Sequence, residues 1–412
     1  MRYEDFVDPD YEPSKSDLIC TFFFESTLPP RKAAGGVAAE SSIGTWTELT
    51  TERKYVRKLA ARVFSLRKTG TGYTAKIAYP VELFEEGNMP NILSSVAGNV
   101  FGLKELLNLR LQDISFPRKL ARSFMGPAFG IPGVRKLLRV RKRPLVGTII
   151  KPKLGLRTEH HAKVAYEAWL GGCDIVKDDE NLSSQKFNPF RKRFLETIKM
   201  RDRAEKETGE KKVYMVNVTA ETNEMLRRAK FVSENGGEYV MVDILTAGWS
   251  GIQSLREMDI GLVLHAHRAG HAAFTKNPKH GISMKVVAKI VRTIGLDQLH
   301  VGTVVGKMFE SLKEVKENVS ALTEPYYGIK KVMPVASGGL HPGSVPRLYS
   351  IFGKDVVIQS GGGIHGHPKG SVAGAVAMRQ AVDAAVSGIP LREYAETHPE
   401  LREAIELFGI VK

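Results

Sequence analysis

Cysteine is almost missing from this chain. The two in 412 residues, Cys20 and Cys173, stand far apart and form no C-x-x-C pair, which excludes a disulfide framework and the common cysteine metal and redox motifs. No run of about 18 uncharged apolar residues occurs, as a membrane-crossing helix would need. The opening MRYEDFVDPDYEPSKSD is acidic and polar, where a secretory leader is basic and then apolar. No membrane partner and a cytoplasmic location are therefore expected. Low-complexity segments and convincing internal repeats are also lacking. With 42% hydrophobic and 25% charged residues, the composition excludes disorder, collagen and coiled coil. What the chain has in excess is positive charge, 60 Lys+Arg against 45 Asp+Glu, or +15. That field suits a polyanion or small phosphorylated substrates. The densest basic run, Arg135, Lys136, Arg139, Arg141, Lys142 and Arg143, has no interleaved aromatics. It is expected to be a solvated face, and no nucleic-acid partner is expected.

The length fits one large barrel plus a smaller module. From residue 145 onward, eight short apolar runs alternate with helical patterns, the signature of a parallel α/β sheet. They are Leu145 to Ile150, Cys173 to Lys177, Val213 to Thr219, Tyr239 to Ile244, Gly261 to His267, Leu299 to Thr303, Val332 to Ser337 and Val356 to Gln359. Eight β/α units closing on themselves make a (β/α)8 barrel. The first part reads as an α+β module, with strands Asp17 to Phe24 and Tyr73 to Tyr79 and helices over Thr51 to Leu66 and Asn91 to Asn108. The boundary is expected in SFMGPAFGIPG, giving domains 1–125 and 126–412.

Such barrels carry their active sites at the carboxyl ends of the strands, and polar residues gather there. Strand 1 runs into Lys151 and Lys153, strand 2 into Lys177-Asp178-Asp179-Glu180-Asn181, and strand 5 into His267-Arg268 with His271 nearby. Strand 6 carries His300 and leads to Lys307; strands 7 and 8 end at Ser337-Gly338-Gly339 and Gly361-Gly362-Gly363. Consecutive carboxylates repel one another unless a cation compensates them, so KDDEN suits a hard metal, Mg2+ first. A helix N-terminus would tolerate the same acids. Lys177 favours the metal, as counter-ion or as a modified ligand. Two glycine-rich turns with Arg268 and His300 offer two anion sites, which suggests a bisphosphate. The histidines suit proton transfer better than zinc, since no carboxylate or cysteine stands at a diagnostic spacing.

GTIIKPKLGL (147 to 156), GGCDIVKDDEN (171 to 181), HAHRAGH (265 to 271), HVGTVVGKM (300 to 308), ASGGLHPG (336 to 343) and QSGGGIHGHP (359 to 368) together resemble the large subunit of ribulose-1,5-bisphosphate carboxylase/oxygenase, RuBisCO. ESSIGTWTEL (40 to 49) and AGNVFGLK (97 to 104) resemble the same family, and the wording is most similar to the archaeal form III branch. The resemblance covers essentially the whole chain. It implies a ferredoxin-like α+β domain before the barrel and carboxylation of ribulose 1,5-bisphosphate by CO2, with O2 as a side substrate, in nucleotide (AMP) salvage.

The same resemblance implies a carbamylated Lys177 that holds Mg2+ with Asp179 and Glu180, CO2 being the activator. It implies Lys151 as general acid/base with Lys153 beside it, His267 as a second proton-handling group, and Lys307 stabilising the new carboxylate. One phosphate would meet Thr45, Trp46, Gly339, Gly361 and Gly362; the other, Arg268, His300 and Ser337. Gly338 and Gln359 complete the substrate contacts. Glu40, Thr45, Trp46 and Asn99 would come from a partner subunit, so a homodimer or a multiple of dimers is implied, with no small subunit. Three departures from the family pattern stand at Ile149, at Gly270 and at Phe309-Glu310-Ser311. The last of these leaves a second reading, a RuBisCO-like Mg2+-dependent enolase or isomerase of a phosphorylated ketose.

Overall fold

The computed structural model describes residues 1–306 and 310–411. It divides into two compact units, one of Met1–Gly126 with Gly270–Ile294 and Pro325–Ile329, the other of Pro127–Ala269, Gly295–Glu324 and the chain from Lys330. Four strands come first, β1 (Leu18–Ser26), β2 (Arg62–Thr69), β3 (Gly72–Tyr79) and β4 (Leu106–Ser115). Then follow β5 (Leu145–Ile149), β6 (Ile175–Lys177), β7 (Val213–Asn217), β8 (Tyr239–Asp243), β9 (Val263–His267) and the short β10 (Gly281–Ile282). The last three are β11 (Gln298–His300), β12 (Met333–Ser337) and β13 (Val357–Gln359).

The first unit is a five-stranded sheet in the order β10-β4-β1-β3-β2, antiparallel except that β10 runs parallel to β4. Two helices expected here are corrected. Thr51 to Leu66 holds only the 3-10 turn Lys54–Leu59 before β2 begins, and Asn91 to Asn108 holds the helix Met89–Val96 and the 3-10 turn Asn99–Gly102 before β4. The reason for the first is turn chemistry. Thr69 pairs with Gly72, so Gly70-Thr71 is a two-residue hairpin loop, and Gly70 supplies the positive φ of 57° that such loops need. For the second, both β1 and β10 pair with β4, and those ladders outweigh its leucine-rich helix propensity.

In the second unit, all eight strands expected from the sequence form, with ends within about two residues of those expected except that β11 stops at His300 instead of Thr303, and close as a parallel barrel in the order β11-β12-β13-β5-β6-β7-β8-β9. One end is apolar. The helix Gly130–Leu138 places Ile131, Val134 and Leu138 against Leu145, Ile175, Val213, Met215, Tyr239, Met241, Val263, Met333, Val335 and Val357. The basic run alongside is only partly the solvated face expected of it. Lys136, Arg139, Arg141 and Lys142 are exposed, but Arg135 is buried, bonded to Asp355 at 2.6 Å and to the Val140 and Arg143 carbonyls. Arg143 clamps Asp174 through two 2.7 Å bonds. Guanidinium forks bridge acids and carbonyls internally, where lysines would not. Among the described residues, no helix is long and apolar enough to cross a membrane.

Candidate active site

Side chains alternate in and out along a strand, so each barrel strand aims every second residue at the axis. The inward series turns from apolar to polar at the carboxyl ends: Lys177 on β6, Asn217 on β7, Asp243 on β8, His267 on β9, His300 on β11, Ser337 on β12 and Gln359 on β13. On β5 the inward position beside Gln359 is Gly147, where a Cβ would stand 2.9 Å from the Gln359 Cδ. Glycine there makes room for the carboxamide, whose two polar atoms are buried and have no hydrogen-bond partner among the described residues.

Alternation carried one residue past the end of β6 sets Asp178 apart from the other acids of KDDEN. Asp178 points outward to the helices: it accepts from Tyr214 Oη (2.5 Å), Arg193 Nε (3.2 Å) and the Asn217 amide (3.0 Å), with His161 Nε2 at 3.1 Å. Burial alone would raise its carboxyl, but the Arg193 charge and these bonds overcome that and hold it at about 2. Asp178 is a structural anchor.

Lys177, Asp179 and Glu180 stay at the axis. Lys177 is 1% exposed and donates to the Asp178 carbonyl at 2.7 Å, with Glu180 Oε2 at 3.7 Å. Burial pushes its amine below the usual lysine range, against the pull of Glu180, Asp179, Asp243 and Asp178. Asp179 accepts from Lys151 Nζ at 2.9 Å and from Asn181. Burial opposes ionisation of Asp179, and the Lys151 bond overcomes it, leaving the carboxyl below its ordinary range. Lys153 is exposed in the turn that follows. Among the described residues no three His, Cys, Asp or Glu side chains converge on one point. Two carboxylates beside a buried amine are what is present.

Histidines form the facing wall. His267 Nδ1 lies 2.5 Å from Asp243 Oδ1, and its Nε2 is 3.6 Å from Glu180 Oε2. A carboxylate on one ring nitrogen fixes the tautomer and leaves the other nitrogen for substrate. Behind it, Gln298 Oε1, His265, His300 and Ser337 Oγ make a chain of bonds of 2.9, 2.8 and 2.6 Å. Burial pushes both His265 and His300 well below the histidine range; two adjacent neutral imidazoles share one proton per contact. His271 lies in the other unit, bonded to Thr275.

Arg268, 6% exposed, is ion-paired with Glu310. Gly338 and Gly339 follow Ser337 with φ of 114° and 75°, opening the backbone of that turn. Gly361 precedes the single helical turn Gly362–His365, and a Cβ on it would meet Lys151 Cε at 3.0 Å. Glu40, Thr45, Trp46 and Asn99 all belong to the first unit. Glu40 accepts from Tyr3 Oη at 2.7 Å, and Trp46 is 82% exposed. Lys307 lies outside the described residues.

Sequence reading missed Asp243, Asn217, His265 and Gln298. His265 lies two residues before His267 and Gln298 two before His300, so alternation counted back from those histidines would have found them, whereas Asn217 and Asp243 are the last residues of β7 and β8. Their pairing is another matter, since His267 and Asp243 are 24 residues apart and His265 and His300 are 35.

Comparison with known proteins gives consistent matches. The family described as ribulose bisphosphate carboxylase large chain, catalytic domain, matches residues 130–408, and its N-terminal domain matches residues 5–120. The ribulose bisphosphate carboxylase of Pyrococcus abyssi is 51% identical over 100% of this chain and 97% of its own. That of Methanosarcina mazei is 52% identical over 97% and 98%. Among solved structures, octameric Rubisco from Pyrococcus horikoshii OT3 in complex with sulfate superposes with a TM-score of 0.97 at 51% identity, covering 100% and 98%. Dimeric archaeal Rubisco from Hyperthermus butylicus gives 0.93 at 46%, covering 99% and 100%.

Proposed function

The chain belongs to the ribulose bisphosphate carboxylase large-chain family, and from that premise we propose that it joins CO2 to ribulose 1,5-bisphosphate, giving two 3-phosphoglycerates. The observation that carries the reading is the buried Lys177 amine beside Asp179 and Glu180, with Lys151 on one side and the His267–Asp243 pair on the other. A buried amine pushed toward its neutral form reacts with CO2. Carbamylation then replaces a cation by an anion and completes a set of three oxygen donors for Mg2+. The residues fit the metal in that form. As the unmodified amine, Lys177 instead puts a positive charge where the metal would go. Mg2+, when bound, supplies Lewis-acid stabilisation of charge on the substrate oxygens.

The chain's own groups divide the remaining work. Modified Lys177 takes the C3 proton. Lys151, oriented by its bond to Asp179, exchanges protons with the substrate oxygens, and Lys153 stands beside it. His267, held by Asp243, serves a second proton transfer. Lys307 stabilises the carboxylate that forms from CO2. One phosphate is held by Thr45, Trp46, Gly339, Gly361 and Gly362, the other by Arg268, His300 and Ser337; Gly338 and Gln359 line the space between. Glu40, Thr45, Trp46 and Asn99 act on a second subunit's barrel, so the working unit is a homodimer or a multiple of it, without a small subunit. The exposure of Trp46 supports that reading. Reaction with O2 accompanies carboxylation, and a cytoplasmic place in nucleotide salvage completes the proposal.

Preincubation with CO2 and Mg2+ before ribulose 1,5-bisphosphate is added is the test. Activity should rise with preincubation and be absent from Lys177→Met. Full activity without preincubation would refute the carbamate.

A further inference from the structure

The Arg268–Glu310 pair is buried on both sides, each residue 6% exposed. The carboxylate lies against Gly302, where a Cβ would stand 3.1 Å from Glu310 Cδ, and the Gly302 φ of 94° disfavours any side chain there. The backbone is therefore shaped around the carboxylate. The pair is one-sided. Glu310 meets Nη2 of the guanidinium, while Nη1 is buried and has no hydrogen-bond partner among the described residues. A pair serving only stability would be expected to close the whole fork, because a buried donor without a partner is costly.

We infer that Glu310 is an internal counter-anion occupying a phosphate seat at Arg268, which it must yield before a substrate phosphate binds there, so that Glu310 sets the affinity of this end of the site for the bisphosphate. The inference rests on the proposed role of Arg268 as a phosphate ligand. A guanidinium buried without an anion is strongly unfavourable, so something must compensate it while substrate is absent. A phosphate dianion carries more charge than one carboxylate, and its three oxygens fit both prongs of the fork. It can displace Glu310, while a small monoanion gains too little to do so. Apparent affinity is the intrinsic affinity reduced by the fraction of molecules in which the guanidinium is free. Glu310 thus selects for a dianion by raising the threshold for entry.

Inorganic phosphate is titrated into the full chain at constant ionic strength, by calorimetry and by thermal melts, for wild type, Glu310→Gln and Arg268→Gln. Glu310→Gln should melt lower than wild type without phosphate, bind phosphate about tenfold or more tightly, and gain more melting temperature on saturation. Glu314→Gln, which alters an exposed acid at the start of the following helix, should leave phosphate affinity unchanged. Wild-type or weaker phosphate affinity in Glu310→Gln would overturn the inference and make the pair purely structural. If Glu310→Gln does not fold, Glu310→Asp, which keeps the charge and shortens its reach, should tighten phosphate by a smaller factor; unchanged or weaker binding would overturn the inference equally. Arg268→Gln separates the two layers of the argument. Retained wild-type phosphate binding there removes Arg268 from the phosphate site, whereas its loss, together with no gain in Glu310→Gln, removes only the role of Glu310.

Discussion

The two ends of the barrel are built from the same strands and do opposite things. On β9, Val263 joins the apolar plug under the helix Gly130–Leu138, while His267 on the same face meets Asp243 and Glu180. On β6, Ile175 and Lys177 divide in the same way. Most of these strands spend their first inward residues on packing and the last on chemistry. The plug end buries apolar surface at about 25 cal/mol per Å2, and this holds a ring of charged and polar groups that would not assemble alone. Charge at the other end is tolerated where buried ions are paired: Asp178 has Arg193, and Arg268 has Glu310.

The sharpest way to break this comparison is to exchange the ends' chemistry. Lys177 and Met215 are register partners on β6 and β7. Lys177→Met should abolish CO2 fixation while keeping or raising the melting temperature, since it removes a buried cation. Met215→Lys puts an unpartnered cation in the plug and should leave little folded protein, read by circular dichroism and solubility. If the two variants behave alike, the division of labour is wrong.

Next in size is Asp178→Asn. It strands the Arg193 guanidinium and should cost about 3 to 5 kcal/mol of stability in denaturant unfolding. The pH dependence has a definite sign. A carboxyl held at about 2 in the folded chain, against an ordinary 3.8, contributes stability in full above the higher value and loses it as the pH falls through the lower. Acid unfolding of wild type between these limits should therefore be steeper than that of Asp178→Asn.

The smallest effect on function belongs to the plug. Leu145→Ala should cost about 2 to 5 kcal/mol of stability from cavity formation, with KM for ribulose 1,5-bisphosphate unchanged. A changed KM with unchanged stability would place the plug in the site.

The barrel was legible in the sequence because each strand is a short apolar run bounded by glycine or polar residues, from Leu145 to Gln359. β2 and β4 were not: their leucines also fit a helix, and the deciding features were the Gly70 turn and pairing partners elsewhere in the chain. At the site, Lys177, Asp179 and Glu180 stood out as a motif. Nothing in the adjacent letters set Asp178 apart, because its direction follows from strand alternation and its partners lie on two helices and on β7. The Arg268–Glu310 pair joins residues 42 apart, and no spacing rule reaches that far.

The most direct test of the central claim, that the polar end of this barrel both enolises and carboxylates, follows one reaction with two labels. Ribulose 1,5-bisphosphate, Mg2+ and labelled CO2 are supplied in isotopically labelled water. Exchange at C3 and label in 3-phosphoglycerate are then read from the same sample. The account predicts both signals in wild type and neither in Lys177→Met. Exchange at C3 without labelled 3-phosphoglycerate would contradict it and leave an enolase.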